Sequence, residues 1–387
     1  MRVLTLSTLF PDAGRPAFGR FVERQTQALA ARPGVAVRVV APVGIPPLLA
    51  RHPHYAASAA LPERECRNGL DILRPRFPTL PGPGAMFAPR LLARRLLPLL
   101  RTMRHDYPFD VIDAEFFWPD GPAAVRLEQA LGVPVSIKAR GADIHHWGHC
   151  RGCASQVVTA GRAAAGLLAV SGPLRDDMIA LGMSADRIAV HHTGVDLDRF
   201  RPADRTAAKT ALGLTGPVLL TIGHLIPRKG QAITLDALAR IPDATLLIAG
   251  DGPDRAALSA QTDRLGLSAR VRFLGTMPHA ALPDLFAAAD LFILPTASEG
   301  LANVWVESLA CGVPVITTDV GGARTVIDCP AAGLLVARDA ASIANAAHLL
   351  LRDPPAPEDV RQGALRFTWD RNAAELEAHL RRLTGKD

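Results

Sequence analysis

In HLIPRKG, residues 224–230, Arg228 and Lys229 stand side by side after the apolar run PVLLTIG and before a helical pattern that begins near Gly230. A guanidinium fork and an ammonium point charge at a helix N-terminus, where backbone N–H groups lack intrahelical partners, suit a diphosphate. A solvated basic turn is the bland alternative. Against it stands the scarcity of lysine: of 43 basic residues, only Lys138, Lys209, Lys229 and Lys386 are lysines. A second constellation, SEGLANVWVES at 298–308, follows the apolar run LFIL. Glu299 falls on the loop leaving that run, and Glu307 about one turn into the next helix, on the face it shares with Asn303. Backbone N–H groups along Gly300, Leu301 and Asn303 suit an anion. Glu307 suits the vicinal hydroxyls of a ribose, and Glu299 those of a second sugar. As purely structural residues both acids would be favoured by the helix macrodipole, which fits Glu299 better than Glu307.

The N-terminal half offers less specific signals. In PDAGRPAFGRFVERQTQAL, Gly19 before a helical pattern allows close backbone approach to a ligand. The dinucleotide fingerprint G-x-G-x-x-G is missing there, which counts against a nicotinamide dehydrogenase. KARGADIHHWGHCRGC, residues 138–153, gathers Arg140, Asp143, His145, His146, His149, Cys150 and Cys153 after the run VPVSIK. A zinc site would need a second pair beyond the one C-x-x-C, and none lies at a customary spacing. Polar site residues are the preferred reading, with Asp143 or His145 orienting a sugar hydroxyl. Asp196 and Asp198 of GVDLDRF form a D-x-D that precedes the mid-chain join instead of closing a strand, so they read as turn and capping residues. Ser171 reads as a helix N-cap. Arg90 to Arg104, RLLARRLLPLLRTMR, combines leucines and arginines at near-helical spacing. Such a helix suits docking on anionic lipid; a core-facing helix with solvated arginines is the equal alternative.

What must position these residues is an alternation of β-rich apolar runs with helical patterns from end to end. Runs apolar throughout mean strands buried on both faces, hence parallel sheets wrapped by helices and an α/β fold. At 387 residues the chain fits two doubly wound Rossmann-like domains. In such sheets ligands bind beyond the carboxyl ends of the strands, and two of them facing each other across a cleft would hold a two-part substrate. The polar stretch 196–216 reads as the join, and Pro-rich 42–89 as irregular. Hydrophobic content of 49% with 21% charge is ordinary for a globular protein, and no run reaches the length of a membrane span. MRVLTLSTLF reads as a buried first strand over Val3 to Ser7, since no clean cleavage site follows. Five cysteines fit a reducing cytoplasm. The net charge of +6 comes from an arginine-rich composition and does not indicate a nucleic-acid partner.

Taken together, GRFVERQTQAL, RGADI, AVSGPLRDDM, VHHTGVDLDRF, IGHLIPRKG, LLIAGDGP and the long VRFLGT to RTVI segment resemble the retaining glycosyltransferases of family 4, with the GT-B fold. The resemblance covers nearly the whole chain, and its most specific element is the Glu299–Glu307 spacing combined with the upstream Arg-Lys. It implies an N-terminal acceptor-binding domain over 1–200, joined by a C-terminal helix over 369–387 that crosses back onto it. A donor-binding domain is implied over 201–368. It implies that Arg228 and Lys229 hold the donor diphosphate, Glu307 the ribose and Glu299 the transferred sugar. Gly223, Gly300, Leu301, Asn303 and the Gly19 loop would complete the pocket. It also implies a metal-independent reaction with no cofactor, retaining configuration through front-face attack within an ion pair. The acceptor would be a glycan or lipid-linked molecule, in surface polysaccharide or glycolipid synthesis. The enzyme would be cytoplasmic, peripheral on the inner face of the cytoplasmic membrane. Arg140 stands where the family usually carries a histidine, and Arg140 or His145 would substitute for it; Thr193 stands where an asparagine is usual. The rival readings are a nucleotide-sugar epimerase or sugar phosphorylase of similar architecture, and a non-catalytic nucleotide-sugar or membrane-surface binding protein.

Overall fold

Segments apolar at nearly every position form strands covered on both sides. Val218–Ile222 is wholly buried, and its alternate residues enter different cores. Val218, Leu220 and Ile222 pack with Phe286, Trp305 and Leu309, whereas Leu219 packs with Leu235, Leu258 and Ile343. Each such aliphatic side chain contributes about 1.5–3 kcal/mol on burial, and the strand's one polar residue, Thr221, is buried among them. The computed structural model describes residues 1–16, 18–47, 49, 52–80 and 82–385. The chain divides into Met1–Gly194 with the C-terminal stretch from Trp369, and Val195–Thr368.

In the first unit, among the described residues, the main sheet runs Ile188–Val190, Gly166–Ala169, Val135–Ala139, Val111–Ala114, Arg2–Leu6, Ala36–Val40, Leu70–Leu73, Arg64–Arg67. All neighbours are parallel except the last pair. The chain starts in the middle, at Arg2–Leu6, goes outward on one side and returns to the other at Val111–Ala114. The crevice between those two strands is therefore a topological switch point. The second unit's sheet runs Val271–Gly275, Thr245–Ala249, Val218–Ile222, Leu291–Leu294, Val315–Thr318, Gly333–Val336, all parallel. Its switch point lies between Val218–Ile222 and Leu291–Leu294. The helix Trp369–Thr384 belongs to the first unit, packing on Arg20–Ala30 and pairing Glu377 with Arg32 at 2.8 Å. Residues 386 and 387 of the expected 369–387 segment lie outside the described residues.

Three expectations need correction. Pro-rich 42–89 is not irregular: it holds strands at Val43–Ile45, Arg64–Arg67, Leu70–Leu73 and Arg76–Pro78. Asn68 and Gly69, both at positive φ, turn the middle pair into an antiparallel hairpin. Residues 196–216 are not a free linker, because Phe200 and Leu214 are core residues of the second unit and Arg361 donates to the carbonyls of Leu197 (2.8 Å) and Phe200 (2.6 Å). The division between units accordingly falls at Gly194/Val195, ahead of the expected 200/201, while the later one falls at Thr368/Trp369.

Candidate functional site

In the second unit, the loops that leave the two switch-point strands are knitted together. Ala297 N–H donates to Arg228 O at 2.8 Å, and Arg338 donates to Pro295 O (2.9 Å) and Pro227 O (2.8 Å). Gly230, at φ 79°, packs so tightly that a Cβ there would sit 2.3 Å from Pro295 O, so only glycine allows this approach. The sequence places Arg228 and Lys229 on a 3-10 turn, Pro227–Lys229, immediately before the helix Gln231–Leu238. The fold brings both to Glu299. Arg228 Nη1 lies 3.0 Å and Lys229 Nζ 2.5 Å from Glu299 Oε1, which also accepts from Thr296 Oγ1 at 3.0 Å. Arg228 donates further to Ser298 O. Two cations against one carboxylate leave a net positive charge. The Arg228 side chain keeps 42% of its surface exposed and Lys229 keeps 14%.

Around this ionic group the backbone is open. A Cβ on Gly223 would meet nothing nearer than the Lys229 methylenes at 3.8 Å, so there is open space beside it, while its φ of 156° by itself favours glycine. Gly300 O accepts Gly322 N–H at 2.7 Å, and Leu301 packs against the core. The helix Asn303–Ala310 begins after Ala302 with no side-chain cap; Trp305 N–H donates to Ala302 O at 3.1 Å, which leaves the N–H groups of Asn303 and Val304 for an anion. Glu307 is not part of the Arg-Lys group. It is 8% exposed, and its Oε1 takes a hydrogen bond from His279 Nε2 at 2.8 Å. Sequence reasoning missed His279 and Arg338, which approach from distant segments with no local spacing to reveal them.

In the first unit, Arg140 lies over the Phe21 ring at 4.5 Å and donates to Glu115 O at 2.9 Å and to the Glu115 carboxylate. A buried chain continues inward. Gln25 donates to Glu115, Lys138 donates to Gln25 and, at 2.6 Å, to His191 Nδ1, and His191 Nε2 donates to Asn372 O at 2.8 Å. Burial and the Arg140 charge lower the Lys138 ammonium to about 7. Burial would raise Glu115, but the Arg140 and Lys138 charges outweigh it and hold it below the usual carboxylate range. Burial and the neighbouring Glu115 push Asp113 well up, and burial and the Lys138 charge push His191 well down. Asp120 accepts from Thr8 N–H (2.9 Å) and its hydroxyl (3.2 Å), tying the two switch-point loops together; burial raises it to about 7. Gln25, Glu115, Lys138 and Asp120 were not singled out in the sequence. The signal available was a charge at or beside the end of an apolar strand, in FDVIDAE and VPVSIK.

The remaining expected residues are placed as follows. Asp143 is fully buried, and its carboxylate accepts the N–H groups of Arg140 (3.0 Å), Gly141 (2.8 Å) and Phe117 (3.1 Å), holding the turn after the strand. His145 bonds Asp177 at 3.0 Å. Gly19, at φ 68°, starts the helix Arg20–Ala30, and a Cβ there would overlap Leu9 O at 1.6 Å, so backbone approach alone demands glycine. Ser171 caps its helix, accepting Leu174 N–H at 3.4 Å, and Asp196 accepts Arg199 N–H at 3.1 Å. Cys150 and Cys153 are free thiols, and among the described residues no group of three or more His, Cys, Asp or Glu is arranged to hold a metal ion.

Comparison with known proteins bears on the fold and the family. Residues 18–199 match the profile "Glycosyltransferase Family 4" and residues 203–367 match "Glycosyl transferases group 1". TuaC of Bacillus subtilis, a glycosyltransferase assigned to teichuronic acid biosynthesis, is 30% identical over 331 residues, covering 83% of this chain and 82% of TuaC. The D-inositol 3-phosphate glycosyltransferase of Mycobacterium tuberculosis is 38% identical over 220 residues, 53% of this chain and 46% of that protein. Among solved structures, sucrose-phosphate synthase from Thermosynechococcus elongatus superposes with a TM-score of 0.81 at 22% identity, covering 99% of both chains. Anabaena HepE in complex with UDP and glucose does so at 0.74 and 23%, covering 99% of this chain and 100% of HepE. Two parallel Rossmann-like units of this topology are the GT-B architecture, and the chain belongs to the family 4-like glycosyltransferases.

Proposed function

We propose that the enzyme moves a sugar from a nucleoside-diphosphate sugar to a glycan or lipid-linked acceptor, with retention of configuration and without a metal. The observation that carries this reading is the Arg228–Glu299–Lys229 group at the second unit's switch point, with open backbone at Gly223 and an uncapped helix start at Asn303. HepE, solved with UDP and glucose, supports a donor of this class. Arg228 and Lys229 bind the diphosphate. Glu299 holds both cations in register and offers its carboxylate to hydroxyls of the sugar, and Glu307 takes the ribose hydroxyls. Cleavage of the anomeric C–O bond builds negative charge on the departing phosphate while the sugar becomes oxocarbenium-like, and preorganised cations lower that barrier. The acceptor hydroxyl then attacks from the side the phosphate left, passing its proton to a phosphate oxygen. Arg140, held by Glu115, assists in place of the histidine usual in the family, with His145 as the other candidate.

The acceptor side of the reading includes a membrane surface. The helix Ala88–Asp106 buries Leu92, Leu96, Leu100 and Met103 and exposes Arg90, Arg94, Arg95 and Arg101, with Met86 and Phe87 exposed just before it. Basic and apolar groups together fit anionic lipid, supporting a peripheral location on the inner face of the cytoplasmic membrane. No described helix is long and apolar enough to cross a membrane. The test is transfer of label from a panel of nucleotide sugars. Glu307→Ala should raise donor KM roughly tenfold, as for loss of one charge-assisted hydrogen bond. An unchanged KM would reject the ribose assignment, and isomerisation of donor without transfer would favour an epimerase.

A further inference from the structure

A histidine ordinarily satisfies any ring nitrogen that water cannot reach. His279 does not. Its side chain is half-buried, 23% exposed; Nε2 lies 2.8 Å from Glu307 Oε1, while Nδ1, the inner nitrogen, has no hydrogen-bond partner among the described residues. The ring rests edge-on against Phe200 (5.2 Å between centroids), which is itself buried against Phe286. His279 opens the short turn His279–Ala281 after Pro278, so backbone and ring are both fixed from behind. Because Nε2 faces a carboxylate oxygen, the network assigns the proton to Nε2, leaving Nδ1 as an unpaired acceptor. Among the described residues the ring's one hydrogen bond is thus to Glu307, and a leucine would fill the apolar setting without an orphan nitrogen.

We propose that His279 is a positioning residue for donor recognition: donating Nε2–H to Glu307 Oε1 locks the carboxylate so that Oε2 meets the vicinal diol of the donor's ribose. This rests on the ribose assignment of Glu307 and adds the device that makes it selective. A carboxylate free to rotate loses part of its preference for a diol over a deoxyribose, because ordering it then costs rotamer entropy at binding.

The experiment uses the full chain and measures binding of UDP, GDP and ADP, and of the 2′,3′-dideoxy form of whichever binds tightest. Wild type should prefer the diol. His279→Leu should lose roughly tenfold of that preference, as for one charge-assisted hydrogen bond, with donor KM rising and kcat little changed. His279→Gln, whose amide can reach Oε1, should restore it to within about threefold, and the double variant His279→Leu/Glu307→Gln should be no worse than Glu307→Gln alone. A merely structural histidine would lower Tm without touching the diol preference, and that result overturns the proposal. Should His279→Leu fail to fold, His279→Asn, too short to reach Oε1, serves instead, and wild-type diol preference in it is equally fatal. If Glu307→Gln itself keeps full diol preference, the ribose reading fails instead.

Discussion

Glu115 and Glu299 have the same job description and opposite surroundings. Each carboxylate anchors an arginine directly, Arg140 or Arg228, and a lysine either through Gln25 or directly, Lys138 or Lys229. The Glu115 group sits at strand ends with Lys138 fully buried; the Glu299 group sits on loops with Arg228 nearly half exposed. Burial makes the first a framework, since a charge there has no water to fall back on if its partner leaves. In the second, on the proposed reading, the exposure of Arg228 lets an incoming anion compete with the carboxylate for it. Similar residues therefore form a buried framework behind Arg140 in one unit and, on the proposed reading, an accessible anion site in the other.

Removing the carboxylate in each place breaks the comparison most directly. Glu115→Ala leaves Arg140 and Lys138 buried without their counter-charge and should cost about 3–5 kcal/mol of stability, read from urea unfolding. A loss under about 1 kcal/mol, the range of surface pairs, would show the cluster to be solvated and the contrast false. The next largest effect belongs to the exposed group. Arg228→Ala or Lys229→Ala should lower turnover by about 10², as for loss of one preorganised electrostatic donor, with the unfolding midpoint close to wild type. Near-normal turnover in both variants would remove the diphosphate role.

The two regions also differed in how far the sequence revealed them. Arg228, Lys229 and Glu299 were legible because each follows directly on an apolar strand, and parallel strands deliver their loops to one edge. Lys138 and Glu115 belong to such segments too, but their meaning depends on Gln25 and His191, which reach them from distant parts of the chain. Asp143 was read as a site acid because it follows a strand, yet its carboxylate holds the turn. The RNG turn at 67–69 was overlooked within a Pro-rich stretch, although Asn-Gly between alternating residues specifies a tight hairpin.

The buried region should also respond to acid. His379, bonded to Ser136 Oγ at 3.0 Å on the same sheet face, is lowered by burial and the Arg382 charge from 6.5 to about 4. Between those values the unfolded imidazole takes up a proton that the folded one refuses, so stability is full above 6.5 and is lost as pH falls toward 4. His379→Gln removes the titration while keeping a hydrogen-bonding group near Ser136. It should flatten the fall in stability between pH 7 and 5 by about 1–2 kcal/mol. An unaltered slope would place the acid sensitivity elsewhere.

The smallest effect is the sharpest discriminator. Glu299→Ala deletes the acceptor shared by Arg228, Lys229 and Thr296, as Glu115→Ala deletes that of Arg140 and Gln25. Yet stability should fall by less than for Glu115→Ala, because water reaches Arg228, although Lys229 and Glu299 are themselves mostly covered. Transfer should fall all the same, since the two cations lose the group that holds them in register and the sugar loses its carboxylate. Added salt should narrow the stability difference further, because screening acts on exposed pairs and hardly on buried ones. If Glu299→Ala instead unfolds the protein as readily as Glu115→Ala, the loop group is a framework too, and the division of labour between the two carboxylates disappears.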